Sequence, residues 1–163
     1  MPGMSKAAHV IGLISDTHGL VRPDVHTALA GVELLLHAGD VGGGDVLTEL
    51  ALIARVRAVR GNTDPPDDPP LPAEIALTVD GVRIHVSHGH EVGSPNPKRL
   101  LERYDADVIV YGHTHKQLVT HAGDRWVVNP GAAGPRRFDL LPSVAKLTIA
   151  RGAVEVETLD LAP

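Results

Sequence analysis

His9-Val10-Ile11-Gly12-Leu13-Ile14-Ser15-Asp16-Thr17-His18 sets the pattern of the chain: a branched apolar run of strand length that gives way to an acidic residue and an imidazole. Four more times a strand-length run gives way to a short polar block. Glu33 to His37 leads to Gly39-Asp40, and Val56 to Val59 leads to Gly61-Asn62-Thr63-Asp64. Val82 to Ser87 leads to His88-Gly89-His90, and Val108 to Tyr111 leads to Gly112-His113-Thr114-His115. Counted from Asp16 through Asp40, Asn62, His88 and His113, the steps are 24, 22, 26 and 25 residues. Steps of that size return an α/β chain to the same edge of its sheet. The spacing therefore predicts that all five blocks meet at the carboxyl ends of the strands, where open α/β sheets place their ligand sites.

Outward from these blocks, Ile75 to Val79, Leu118 to His121, Trp126 to Val128, Val144 to Ile149 and Val154 to Thr158 also read as strands, for ten in all. Pro23 to Ala30, Asp45 to Ala54 and Pro97 to Tyr104 carry helical spacing and give the first half a βαβ character. Asp80-Gly81, Gly123-Asp124 and Arg151-Gly152 read as hairpin turns, so the second half adds antiparallel pairs. Asp64 to Pro72 holds five prolines, which continue neither a helix nor an interior strand. It is an extended loop rather than a linker, because too little chain precedes it to close a separate core. The expectation is one α/β domain over residues 1–163.

Composition removes several classes of function. Lys+Arg 15 against Asp+Glu 20 gives a formal charge of −5, which disfavours coating a polyanion. The four aromatic residues Tyr104, Tyr111, Trp126 and Phe138 are too few for a row of base-stacking platforms, so no stable nucleic-acid complex is expected. No apolar run approaches the roughly 18 residues of a membrane-spanning helix, and the stretch before His9 has no leader-like apolar region. The expected location is cytoplasmic, with no membrane partner. With no cysteine, disulfides, zinc–thiolate sites and thiol nucleophiles are excluded. Ten histidines are the unusual number.

Seven side chains converge in this reading: Asp16, His18, Asp40, Asn62, His88, His113 and His115. Two carboxylates, an amide oxygen and four imidazoles suit Mn, Fe, Zn, Co or Ni rather than Ca. Seven ligands are too many for one ion. With Asp40 bridging two cations, each ion receives four protein ligands and room is left for a shared water or hydroxide. In Asp-x-His and His-x-His, both side chains of a pair lie on one side of an extended or turning segment, since alternate residues point the same way. Two divalent ions against two carboxylates and a hydroxide leave a local charge of about +1, which attracts a phosphate ester.

Asp-x-His, Gly-Asp, Gly-Asn-x-Asp, His and Gly-His-x-His in this order resemble the calcineurin-like metallophosphoesterase superfamily. The length and Asn129-Pro130-Gly131 resemble its small single-domain bacterial and archaeal phosphodiesterase branch, to which the retromer-subunit scaffold is related. The match runs from Val10 to about Arg137. The resemblance implies a four-layer α/β/β/α sandwich of two mixed sheets. It implies one ion on Asp16, His18 and His115, a second on Asn62, His88 and His113, and Asp40 between them. It further implies a hydrolase in which a hydroxide bridging the ions attacks phosphorus in line, without a covalent enzyme intermediate. The resemblance favours Mn or Ni over Zn or Fe.

Two positions depart from the family pattern. Thr63 stands where many relatives have a histidine that protonates the leaving oxygen or contacts phosphate, which removes the obvious general acid. A small organic phosphodiester with a good leaving group is then the expected substrate, in preference to an alkyl monoester. Asp40, Asn62 and His90 are the residues assigned to catalysis, His90 or Thr63 meeting the substrate or a water. Ala132 stands where the branch usually has serine.

Other polar residues have plainer readings. Gly42-Gly43-Gly44 lacks the register of a phosphate loop and reads as a turn. His9, His26 and His121 are solvated or packed, and His85 is structural. His37 is either a core residue or an orienter of a ligand, and Asp64 either orients a ligand or caps its loop. Arg136-Arg137 are exposed arginines unless they hold a substrate phosphate or a carboxylate across an oligomer contact. The competing function is a catalytically weak protein-interaction scaffold of the same fold, which tends to lose a metal-binding histidine. All seven positions are filled here. Metallo-β-lactamase and zinc-deaminase chemistry fail because Lys116-Gln117 follows His115 and cysteine is absent. A homo-dimer or homo-tetramer is expected from the exposed sheet edges.

Overall fold

Alternation along the strands decides the architecture. Ile11 and Leu13 bury their side chains on one face of the first strand, while Ile14 packs on the other beside Val25, Leu29 and Leu50. A strand buried on both faces needs a layer on each side. The computed structural model describes residues 8–67, 69–137 and 139–162 and supplies those layers. Phe138 and Asp68 of the readings above, together with residues 1–7 and 163, lie outside the described residues.

The elements in chain order are β1 (His9–Ile14), α1 (Pro23–Ala28), β2 (Leu34–His37), α2 (Gly44–Leu50), β3 (Arg55–Ala58), β4 (Glu74–Val79), β5 (Val82–Ser87), α3 (Pro97–Arg103), β6 (Val108–Val110), β7 (Leu118–Ala122), β8 (Arg125–Asn129), β9 (Ser143–Ala150) and β10 (Ala153–Asp160). All ten expected strands are present. The first sheet has the order β10-β9-β1-β2-β3 and the second β4-β5-β6-β8-β7. In the first, β1, β2 and β3 run parallel and β9 and β10 are antiparallel additions. In the second, β5, β6 and β8 run parallel, with β4 and β7 antiparallel at the edges.

Three cores separate four layers. Ile11, Leu36, Ile84, Val86, Val108, Val110 and Leu147 fill the space between the sheets. Val25 of α1, Leu29 just after it, and Val46 and Leu50 of α2 cover the outer face of the first sheet. Leu100 of α3 packs with Ile109 and Val127 on the outer face of the second. The fold is the α/β/β/α sandwich that the resemblance implied. Strand–helix spacing had pointed only to one sheet edge, and that is corrected here. The chain leaves the first sheet after β3 and continues in the second through β4, so the five blocks lie on two sheets.

The helices are shorter than the periodicity suggests. Beyond Leu50, Ile53 N–H donates to the Leu50 carbonyl at 2.9 Å, so the end of α2 tightens into three-residue turns. α3 starts sharply because Asn96 Oδ1 accepts from Arg99 N–H at 2.9 Å and Pro97 occupies the first position. Asp80-Gly81 and Arg151-Gly152 both take positive φ, as a two-residue hairpin between twisted strands requires. Among the described residues, no helix is long and apolar enough to cross a membrane.

Candidate metal centre

The five blocks meet where the carboxyl ends of β1, β2 and β3 face those of β5 and β6. Asp16 and His18 follow β1, Asp40 follows β2, Asn62 follows β3, His88 follows β5, and His113 and His115 follow β6. Backbone hydrogen bonds lock the blocks together. His18 N–H donates to the Asp40 carbonyl at 3.0 Å, and Gly112 N–H donates to the His88 carbonyl at 3.0 Å.

Asp16 is fully buried at the centre. Its Oδ2 accepts from Ser15 Oγ at 2.6 Å and from His113 N–H at 3.2 Å. Its Oδ1 has no hydrogen-bond partner and lies 3.3 Å from His115 Nε2, 3.8 Å from His18 Nε2 and 3.9 Å from His88 Nε2. Asp40 Oδ1 accepts from Thr63 N–H at 2.9 Å, while Oδ2 lies 3.2 Å from His88 Nε2 and 3.8 Å from His18 Nε2. His113 Nδ1 is 3.1 Å from Asn62 Oδ1 and 3.3 Å from His88 Nε2. Ligand atoms of Asp16, His18 and His115 lie within 4.8 Å of one another, as do those of Asp16, Asp40 and His88. His90 stands at the rim with 40% of its side chain exposed, its ring 5.4 Å from His88 and 6.2 Å from His113.

This donor set fits cations. Asp16 Oδ1 and His18 Nε2 are buried polar atoms without a hydrogen-bond partner, a cost that a bound cation removes. The electrostatics agree. Burial alone pushes the Asp16 and Asp40 carboxyls up, but the neighbouring imidazoles, with Thr63 N–H at Asp40, bring both below the usual carboxylate range. Burial pushes His18 and His113 down toward the neutral, ligating form. At His88 burial acts in the same direction, yet Asp40 and Asp16 outweigh it and raise the imidazole. A cation held there would compete with a proton for the imidazole.

Backbone conformation marks the same residues. Asp16, His18, Asp40, His113 and His115 all have positive φ, between 46° and 72°. The other described non-glycine residues with positive φ are Asp80 and Arg151, in hairpin turns. Left-handed backbone in side-chain-bearing residues persists only where the surroundings enforce it. Two glycines make room: a methyl on Gly61 would overlap the Asp40 carboxylate, and one on Gly112 would overlap Ser15 Oγ.

Several supporting residues are decided here. His37 is buried, takes Gly39 N–H on Nδ1 at 3.1 Å and faces Thr17 Oγ1 through Nε2 at 2.9 Å. Thr17 Oγ1 in turn donates to the Val41 carbonyl at 2.7 Å. His37 therefore carries its proton on Nε2 and braces the two loops that bear Asp16 and Asp40. The Asp64 carboxylate accepts from Val41, Gly42 and Gly61 N–H, which ties the loop after β2 to the loop after β3; it caps backbone rather than orienting a ligand side chain. Ser15 has no role in the sequence reading, and Asn129 enters it only through the resemblance of Asn129-Pro130-Gly131, with no supporting role. Asn129 Nδ2 donates to the Gly112 carbonyl at 3.1 Å and to Thr114 Oγ1 at 3.0 Å, bracing the His113 loop. A buried amide closing the apolar run Trp126-Val127-Val128 was the available signal. His85 stacks on Tyr104 at 3.8 Å and is structural.

Comparison with known proteins agrees with the geometry. A model of the "Calcineurin-like phosphoesterase superfamily domain" matches residues 10–152. A "Probable metallophosphoesterase" of Methanothermobacter thermautotrophicus is 34% identical over 161 residues, covering 92% of this chain and 91% of that protein. A phosphodiesterase of Methanocaldococcus jannaschii is 28% identical over 139 residues, covering 74% and 82%. The structure of vacuolar protein sorting 29 from Cryptosporidium parvum superimposes with a TM-score of 0.78 at 22% identity, over 97% of this chain and 100% of that one.

Proposed function

Because the chain belongs to the calcineurin-like phosphoesterase superfamily, we propose that it is a metal-dependent phosphodiesterase acting on small organic phosphodiesters. The observation that carries this reading is the pair of partnerless buried atoms, Asp16 Oδ1 and His18 Nε2, inside a convergent set of carboxylates and imidazoles. Asp16, His18 and His115 hold one divalent ion, Asn62, His88 and His113 hold the second, and Asp40 contacts both. Two ions there, Mn in preference, supply a hydroxide nucleophile near neutral pH and neutralise charge on the phosphoryl oxygens.

The chain's own residues do the rest. Thr63 serves through its backbone N–H on Asp40 Oδ1, which leaves no imidazole at that position to protonate a departing alkoxide. His90, half-exposed at the rim, contacts the substrate. A diester with a good leaving group follows as the preferred substrate. The protein works as a single cytoplasmic domain, as a homo-dimer or homo-tetramer.

The test is hydrolysis of bis(p-nitrophenyl) phosphate by chelator-stripped protein with and without Mn²⁺, beside Asp40→Asn. Turnover restored by metal and lost in the variant is the expected result. Higher kcat/KM on an alkyl monoester than on the aryl diester would overturn the diester preference. Absence of turnover with two ions bound would favour the protein-interaction scaffold, which the likeness to vacuolar protein sorting 29 supports at the level of fold.

A further inference from the structure

Beside the candidate metal centre lies a cavity of about 410 Å³, within the range of small-molecule sites. Among the described residues, His113 and His115 form the wall it shares with the centre, and Lys116, Arg137, Thr114 and Leu140 also line it. No acidic side chain is among these lining residues. Among the described residues, the Lys116 and Arg137 side chains take part in no hydrogen bond or ion pair, although the protein carries a net charge of −5.

The backbone that leads to Arg137 is fastened by hydrogen bonds. Ala133 N–H donates to the Ser15 carbonyl at 2.9 Å and Gly134 N–H to the Asp16 carbonyl at 3.2 Å. Arg22 Nε donates to the Gly134 carbonyl at 2.9 Å. Leu140 N–H then donates to the Arg137 carbonyl at 3.1 Å, within an isolated antiparallel bridge between these two residues. The chain segment that ends at Arg137 is thus fastened to the backbone that carries Asp16. Its guanidinium acts electrostatically on His18. Two unengaged cations on an anchored wall, with Leu140 beside them, form a receptor for an anionic group on a short organic arm.

We propose that this cavity binds the arm of the phosphodiester that stays on phosphorus, and that this arm bears an anionic group, a carboxylate or a second phosphate. The proposal rests on the phosphodiesterase reading above and names its substrate class. In the reaction a water-derived oxygen bonds to phosphorus as the bond to the departing alcohol oxygen breaks. One proton of the water ends on the departing alcohol and the other is released, so the retained arm becomes a phosphomonoester dianion in the cavity.

Two measurements test the subsite. The first compares kcat/KM, with Mn²⁺ present, for phenyl p-nitrophenyl phosphate and p-carboxyphenyl p-nitrophenyl phosphate, in the parent protein and in Lys116→Gln/Arg137→Gln. Both positions are exposed, and metal content measured alongside reports whether the centre is intact. The parent should favour the carboxylated diester by about tenfold, the worth of a charge-assisted hydrogen bond, and the variant should lose most of that ratio. The second is calorimetric binding of phenylphosphonate, p-carboxyphenylphosphonate and p-phenylenebisphosphonate to the metal-loaded proteins. The added anion should tighten binding to the parent and not to the variant, and the latter two ligands tell carboxylate from phosphate. A ratio near one in the parent, or a preference that survives in the variant, overturns the subsite while leaving the phosphodiesterase reading standing. No turnover of either diester with metal bound overturns the phosphodiesterase reading, and the phosphonate arm then still decides whether the cavity takes a distal anion.

Discussion

His88 donates its Nδ1–H to the Ala38 carbonyl oxygen at 2.8 Å, across the gap between the two sheets. The bond joins the end of β5 to the residue after β2 and fixes both the ring and its protonated nitrogen. Nε2 is left facing Asp40 Oδ2 at 3.2 Å and His113 Nδ1 at 3.3 Å. One backbone carbonyl in the first sheet thereby aims an imidazole from the second.

Asp40 Oδ2 lies 3.2 Å from His88 Nε2 and 3.8 Å from His18 Nε2, and in the proposed assignment it contacts both ions, so Asp40→Asn should weaken both proposed metal sites, and His90→Asn should weaken neither. Metal analysis after dialysis should find fewer than two ions on Asp40→Asn and two on His90→Asn. The kcat of Asp40→Asn should fall by about a hundredfold or more, beyond what an outer contact costs. Equal losses with both ions retained would show that the bridge is misplaced.

His115→Ala removes an imidazole from the group it forms with Asp16 and His18. The stoichiometry should drop from two ions to one, with the ion on the His88 side retained. Titration with Mn²⁺ followed by electron paramagnetic resonance reads this through loss of coupling between the ions. Two ions bound with unchanged affinity would contradict the assignment.

Gly61→Ala should damage the centre through packing alone, because the new methyl overlaps the Asp40 carboxylate and the backbone beside it. A destabilisation of about 1–3 kcal/mol and a fall in metal affinity are expected, read by urea unfolding and by metal titration. Gly44, at the start of α2 and with nothing within 4 Å of a built Cβ, should accept alanine within about 0.5 kcal/mol.

His37 gives a pH signature. Burial lowers its pKa to about 4, against 6.5 for an ordinary imidazole. Between those values the unfolded chain binds a proton that the folded one refuses, so stability rises with pH through this window and is lost as pH falls. From pH 7 to about pH 4.5 the contribution is about 2 kcal/mol. Unfolding free energies of chelator-treated protein should show this acid loss in the parent, and a loss smaller by about that amount in His37→Gln. Identical slopes would mean that His37 charges freely in the folded state.

Much of this protein is legible in its sequence because the relevant forces are local. Strand periodicity in Ile11-Gly12-Leu13-Ile14, the Asp80-Gly81 and Arg151-Gly152 turns and the Asn96-Pro97 helix start each depend on neighbours in the chain. The chemistry of the polar blocks is equally local, since an Asp-x-His or a His-x-His carries its ligand types wherever it folds.

Other features depend on partners distant in the chain, and only the tertiary structure decided them. The polar blocks were spaced as if for one sheet, yet His88 and His113 come from the second sheet. Asp64 reads as either a ligand orienter or a loop cap until Val41, Gly42 and Gly61 present their N–H groups to it. Ser15 and Asn129 become supports only once the loops they brace are adjacent. The positive φ of Asp16, His18, Asp40, His113 and His115 is likewise invisible in sequence, because none of these residues prefers that conformation unaided. The sequence determined which ligands were available and roughly where strands would carry them. Packing two sheets face to face determined their orientation, since that burial and the cross-sheet hydrogen bonds offset the backbone strain that a convergent site requires.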